Sequence, residues 1–406
     1  MAGKARANGE GSIYPYRNGY AAYVWVDLPG GERKRKYVYG GTRDIVHEKW
    51  LKLHQAAREN KVTDGKHTVE RYLTEWLREV IAPTAAPLTL STYSGHIRLH
   101  ILPELGDKRL DRLTTRDVQK WANNLAARCQ CCTQGKDQAR PEDKRRCCAV
   151  GRCCEGRLSA RSVSDVRATL RSALSDALAE ELVVRNAAAA VKLRAVRKPK
   201  RRRWTSDEAR RFLESARRDN DPLYAAYVLV LVLGLRRGEA LGLPLDSVDF
   251  EAAEIDIRYQ LQRVDGKLYH RETKTEASDD SLPMPGIVST ALQLRKRRRA
   301  EDRVEADITW QECGLMFTTG HGTPIEPRNF NRSWATRVRK AGVPLISSRS
   351  ARRTCASLLA DLDVHPRVAM RILRHAQFTV TMEIYTDASD EATRAALKKL
   401  GDSLDG

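Results

Sequence analysis

Tyr224-Ala-Ala-Tyr-Val-Leu-Val-Leu-Val-Leu-Gly-Leu235 runs twelve residues without a charge and then meets Arg236-Arg-Gly-Glu239. Such a run is well short of the ~18–20 apolar residues that cross a bilayer, so it reads as a buried helix at the centre of a large core, not as an anchor. Upstream, Thr205 or Ser206 stands before Asp207-Glu208, the pattern of a helix N-cap. Downstream, a short helix through Leu241 and Leu243 gives way to an alternation of Ile255, Ile257, Tyr259 and Leu261, which is the period of a strand. Asp265-Gly266 marks a turn, and Leu268 to Thr273 returns, placing Lys274 near a hairpin tip. The remainder reads as helical, with Arg295-Lys-Arg-Arg-Arg299 as a solvated face. Residues 204–406 are thus expected to form an α+β domain built around this helix.

Working toward the N-terminus, the pattern becomes purely helical over residues 65–196. Val69, Tyr72, Leu73, Trp76, Leu77 and Val80 form one apolar stripe, which Pro83 and Pro87 are expected to break. Further helices are expected over Leu90 to Leu102, Thr115 to Leu125 and Val163 to Leu182. Residues 1–64 read differently: Tyr20 to Val26 and Lys34 to Tyr39 are rich in Tyr, Val and Trp, and Gly30-Gly31 between them signals a hairpin. A helix from Thr42 follows, with Ile45, Val46, Trp50 and Leu53 on one side. The fold class is therefore multidomain and mainly α with small β-sheets: a three-stranded sheet plus helix, a helical domain, and the α+β domain.

Charge points to the partner. The 406 residues carry 72 Lys+Arg against 52 Asp+Glu, a formal net charge of +20. Unmet, that excess repels itself; a polyanion such as nucleic acid relieves it. Arg outnumbers Lys by 52 to 20, which reads either as coding bias or as phosphate recognition by guanidinium groups. Two basic runs stand out. Arg33, Lys34, Arg35 and Lys36 make a strand too basic for a buried face, suited to lie against DNA or to protect a solvated edge. Arg197, Lys198, Lys200, Arg201, Arg202 and Arg203 surround Pro199 without an apolar residue, so 197–203 reads as a linker and a strap along a phosphate backbone. The positive N-terminus has no apolar segment behind it, which predicts no secretory signal and points to the cytoplasm.

Seven of the nine cysteines fall within residues 129–154. In a cytosolic chain that density argues for metal or redox chemistry rather than a disulfide framework. Cys129 and Cys132 with Cys148 and Cys153 or Cys154 offer four thiolates for a structural zinc; a redox-sensitive loop is the competing reading.

The C-terminal half has no phosphate-cradling glycine loop and no paired acids to hold magnesium, which disfavours a two-metal nuclease or polymerase. It offers instead Arg236, Lys274, Arg352, His375 and Tyr385 in order along the domain. Their contexts, Gly234-Leu-Arg-Arg-Gly-Glu239, Thr273-Lys-Thr275, Arg349-Ser-Ala-Arg-Arg-Thr354 and Leu373-Arg-His375 with Tyr385 ten residues on, resemble the boxes of the tyrosine recombinase (phage integrase) family. The N-terminal module resembles the arm-binding domain of lambda-type integrases and the helical middle the core-binding domain. The cysteine-rich insert is similar to that of integrases from actinomycete phages and integrative elements.

The resemblance implies cleavage and rejoining of DNA at attachment sites through a 3′-phosphotyrosyl intermediate, with no cofactor for catalysis. Tyr385 would be the nucleophile, Arg236 and Arg352 the clamp on the phosphate, Lys274 the acid for the leaving oxygen, and His375 a hydrogen-bond donor to the phosphate. Glu239 would orient the arginines. Arg349 stands where the family usually has His, and Ser350 where it has an acid; an Arg carries charge but cannot relay the tyrosine proton, which predicts slower cleavage than an Arg349→His variant. The implied partners are double-stranded DNA attachment sites, three further copies in a tetramer on DNA, and an excisionase or host DNA-bending factor. A type IB-like topoisomerase and a catalytically impaired DNA-binding regulator are the competing functions.

Overall fold

The computed structural model describes residues 13–27, 33–58, 67–195, 202–273, 280–374, 382 and 398. The chain divides into two compact units, Met1–Lys198 and Pro199–Gly406. Among the described residues no helix is long and apolar enough to cross a membrane.

The first unit opens with strands β1 (Tyr14–Tyr16), β2 (Gly19–Asp27) and β3 (Arg33–Gly40), antiparallel in that order, followed by helix α1 (Arg43–Arg58). Ala22, Val24 and Val26 on one face of β2 pack with Val46 and Trp50 of α1, and the Trp50 indole donates to the Tyr23 carbonyl at 3.1 Å. The basic run on β3 is not one face. Exposure alternates along the strand, so Arg33 and Arg35 share the outer face with Tyr37 and Tyr39, while Lys34 and Lys36 fall on the side of Val38.

Helix α2 (Val69–Trp76) does not stop at Pro83: it passes through a π-helical turn, Leu77–Ile81, into Ala82–Thr84. Helix α3 (Pro87–His96) repeats the device through Ile97–Ile101 into Leu102–Leu105, which contains Pro103. Each wide turn ends two residues before a proline. Shifting the hydrogen-bond register there accommodates the missing N–H and the ring, so the prolines bend the helices without ending them. Helices α4 (Thr115–Ala127) and α5 (Ala160–Ala179) complete this part. The Trp76 indole donates to Asp176 at 2.7 Å and the Tyr72 hydroxyl to the Ala173 carbonyl at 2.9 Å, fixing α2 to α5 over a core of Leu73, Ile101, Trp121 and Leu170.

The second unit begins with α6 (Ser206–Arg218), capped by Thr205 and Glu208 in a reciprocal box. Helix α7 (Tyr224–Val232) is the expected central helix, enclosed by Trp204, Phe212, Phe330 and Trp334. It ends at Val232 rather than Leu235. Gly234 takes a positive φ of 61°, and a Cβ there would lie 2.6 Å from Leu373, so both the backbone and the space require glycine. Helix α8 (Arg237–Leu241) follows directly.

The alternation from Ile255 to Leu261 spans two sheets. Strand β5 (Glu254–Ile257) lies between β4 (Val248–Asp249) and β8 (Asp280–Pro283), whereas β6 (Tyr259–Val264) pairs with β7 (Lys267–Glu272) as a separate hairpin. The hairpin tip is Asp265-Gly266, with φ of 45° and 81°. Lys274 comes after β7, away in sequence from that tip, and lies outside the described residues.

Helices α9 (Gly286–Ala306), α10 (Pro327–Lys340), α11 (Ser348–Asp361) and α12 (Pro366–Leu373) close the unit. The expected solvated face on α9 is a correction: Arg295 and Arg299, four apart on one side, are buried. Arg295 donates to the carbonyls of Met316 and Thr318, and Arg299 to the carbonyl of Leu315 and to Glu312. They hold the segment after α9 from within.

Candidate active site

The turn after α7 delivers Arg236 as the residue preceding α8. Its backbone N–H donates to Glu239 Oε2 at 2.8 Å and its guanidinium to Glu239 Oε1 at 2.6 Å, one helical turn on. Glu239 is 2% exposed. Arg352, on α11, donates to the carbonyls of Gly234, at 2.5 Å, and of Leu373. It therefore joins the chain just before Arg236 to the chain at the end of α12.

The residue after Leu373 is the one the sequence reading passed over. Arg374 is buried, adopts a left-handed backbone with φ 49°, and donates to Glu239 Oε2 at 2.5 Å. Such a conformation costs a non-glycine residue about 1–2 kcal/mol, which the buried ion pair to Glu239 helps offset. Its only signal in the sequence was an arginine between Leu373 and His375.

Two guanidinium groups thus hold one carboxylate, and a third, that of Arg352, lies within reach of its charge. Burial pushes the Arg352 guanidinium down to about 9, with Arg236 and Arg374 adding repulsion and Glu239 opposing it. Glu239 itself is held below the usual carboxylate range: burial acts to raise it, and the pull of Arg374 and Arg236 prevails. Among the described residues no carboxylate pairs with Arg352, and an anion with several oxygens, such as a phosphodiester, would offer acceptors to these guanidiniums.

Arg349 lies on the first turn of α11, exposed, where it depresses Arg237 in addition to that residue's own burial. Arg237 donates to the Pro327 carbonyl at 3.3 Å. The structure therefore brings Arg236, Arg352, Glu239 and Arg374 together and sets Arg349 beside Arg237. Lys274, His375 and Tyr385 lie outside the described residues.

On the N-terminal sheet, Arg35 lies over the rings of Trp25, at 4.6 Å, and Tyr23, at 4.9 Å, and Arg33 lies over Trp25. Tyr16, Trp25, Tyr37 and Tyr39 are each more than 40% exposed on this unit. Of the expected strap, Arg197, Lys198, Lys200 and Arg201 lie outside the described residues. Arg202 pairs with Glu208, and Arg203 donates to Ser357 at 3.2 Å, so these two belong with the second unit.

In the insert between α4 and α5, the sulfurs of Cys129, Cys132, Cys147 and Cys153 all lie within 4.8 Å of one another. Cys147 takes the place expected of Cys148. The reason is Asp137, fully buried, which accepts the backbone N–H groups of Arg146, Cys147 and Ala149 and the Arg140 guanidinium, and so turns the Cys147 side chain inward. Burial works against the charge on Asp137, but these donors lower it to about 2.

Residues 202–392 match the phage integrase family and residues 68–126 the phage integrase N-terminal SAM-like domain. A tyrosine recombinase XerC-like protein of Caldanaerobacter subterraneus subsp. tengcongensis is 24% identical over 391 residues, 92% of this chain and 93% of that one. The fold is that of the Tn1549 transposon integrase, solved in complex with transposon right end DNA (TM-score 0.62, 21% identity, 82% of this chain and all of that one). It is also that of the lambda integrase, solved as a tetramer bound to a Holliday junction (TM-score 0.52, 18% identity, 92% and 94%). With the arginine cluster lying inside the matched region, the chain belongs to the phage integrase family of tyrosine recombinases, which cleave and rejoin DNA strands.

Proposed function

We propose that the chain integrates and excises a mobile element by site-specific recombination, and that the cluster of Arg236, Arg352 and Arg374 around Glu239 is its phosphate site. The observation that carries this reading is Arg352, which burial and the nearby Arg236 and Arg374 push down while its partners among the described residues are carbonyls. Tyr385 gives up its phenol proton to solvent and attacks the scissile phosphorus, forming a 3′-phosphotyrosyl bond as the bond to the 5′-oxygen breaks. Lys274 gives that oxygen its proton. Arg236 and Arg352 hold the non-bridging oxygens and stabilise the charge that builds at phosphorus, with His375 as a further donor. One phosphoester bond replaces another, so the step is reversible and draws on no nucleotide. Arg374 acts through Glu239 as a positioning residue, and Arg349 supplies positive charge without relaying a proton.

In this reading residues 1–64 bind arm-type DNA sites through the outer face of the sheet, where Arg33 and Arg35 lie among exposed aromatic rings. Residues 65–196 bind the core site, 197–203 connect, and 204–406 catalyse. Four copies act together on DNA in the bacterial cytoplasm, as the tetrameric assembly of the lambda integrase supports, with an excisionase or host DNA-bending factor setting direction. A structural zinc on Cys129, Cys132, Cys147 and Cys153 stiffens the insert, four thiolates being the donor set that ion prefers.

The test uses a duplex selected from a random pool by binding to the full chain and then nicked near the centre of the bound site. A covalent protein–DNA band is expected, and Tyr385→Phe is expected to abolish it. Binding without any such band would leave a DNA-binding regulator, and a band that survives Tyr385→Phe would remove the assignment of the nucleophile.

A further inference from the structure

The structural zinc above uses four of the insert's thiols, yet two more belong to the same knot. Cys131, Cys147 and Cys154 form a second group whose sulfurs also lie within 4.8 Å of one another, and Cys147 is common to both groups. Cys129 is shared as well by contact: its sulfur is 3.7 Å from that of Cys154. Within the first group Cys132 lies 3.3 Å from Cys147 and 3.8 Å from Cys153. A tetrahedral zinc with bonds of about 2.3 Å has sulfur–sulfur edges of about 3.8 Å; the Cys129–Cys154 and Cys132–Cys153 spacings match that edge, and the Cys132–Cys147 pair is closer.

The surroundings fit thiolates in both groups. The Cys154 N–H points at the Cys147 sulfur, at 3.2 Å, and the Glu155 N–H at the Cys153 sulfur, at 3.3 Å. Arg140, fixed by Asp137 at 2.7 Å, faces Cys131 and Cys154, the two sulfurs that a single-ion site leaves over. Six thiolates packed this closely repel one another, and one divalent ion offsets only two of their charges. Two ions offset four, and Arg140 a further part.

We propose that the insert holds two zinc ions: one on Cys129, Cys132, Cys147 and Cys153, the second on Cys131 and Cys154, with Cys147 and Cys129 as bridging thiolates. Cys148 is the one cysteine of the seven in neither group. The inference rests on the single structural zinc of the preceding section and adds the second ion.

Zinc per chain is measured on the full protein, purified with a thiol reductant, loaded with zinc chloride and freed of excess ion. Two per chain are expected for the wild type and for Cys148→Ser, one for Cys154→Ser or Cys131→Ser, and none for Cys147→Ser. One zinc in the wild type, or an unchanged count in Cys154→Ser, overturns the second ion and leaves the first. No zinc in the reduced, loaded protein overturns both. Should the serine variants fail to fold, cadmium NMR of the cadmium-loaded wild type decides: two resonances in the thiolate range support the pair, and one overturns it.

Discussion

Two groups of arginines in the second unit, alike in composition, do opposite things. Arg337 on α10 is buried between Asp219, at 2.6 Å, and Asp221, at 2.8 Å, and also donates to the Ser215 carbonyl. Arg295 and Arg299 are likewise surrounded by carbonyls and carboxylates. Each of these guanidiniums meets at least its own charge in acceptors and works as a rivet. Arg352 differs: its partners among the described residues are carbonyls and no carboxylate, and burial together with the like charge of Arg236 and Arg374 pushes it down. Desolvated positive charge left in surplus costs stability, and a protein retains it where an anion will arrive. The balance of acceptors around a buried arginine, not the burial itself, separates structure from chemistry.

Substitutions on the two sides should therefore fail differently. The largest effect is expected from Arg352→Gln, which in the proposed mechanism removes a donor to the charge developing at phosphorus. Covalent capture of the nicked duplex should slow by about 10²–10³-fold, while the affinity for intact duplex, measured by titration, changes little. A comparable loss in binding would make Arg352 a docking residue and erase the contrast. Next is Arg337→Ala, which strands Asp219 and Asp221: about 3 kcal/mol of stability should be lost, seen as a midpoint lower in thermal or denaturant unfolding. Cleavage per folded molecule should hold. Smallest is Arg374→Gly, which relieves the left-handed backbone but takes a partner from Glu239. Unfolding should be nearly unchanged and cleavage about tenfold slower, because Arg236 is less well held. An Arg374→Lys variant that restores the rate would confirm a positioning role through charge.

Legibility followed the range of the interaction. The Thr205–Glu208 cap, the Asp265-Gly266 turn and the buried helix from Tyr224 were readable because each depends on a few adjacent residues. The π-helical turns before Pro83 and Pro103 were not, since a proline in isolation reads as a break and only packing of the bent helix over Trp121 and Leu170 repays the distortion. Arg295 and Arg299 sat in a run of five basic residues whose spacing, not composition, placed two of them inside.

Arg236 and Arg352 could be singled out as candidates because short motifs carry them, and Glu239 because a capping pair at that spacing is local. Arg374 and Cys147 were not. Each has a neighbour of similar or greater promise, His375 and Cys148, and what distinguishes them is a contact with a residue far away in the chain. Arg374 is chosen by Glu239, 135 positions earlier, and Cys147 by Asp137, ten positions earlier. The sequence by itself determined the helical and strand periods, the positive charge and the order of the family motifs, since these are properties of neighbours along the chain. Which arginine reaches Glu239, and which thiol turns inward, was decided by the tertiary structure alone, because charge balance and coordination are set by distance in space.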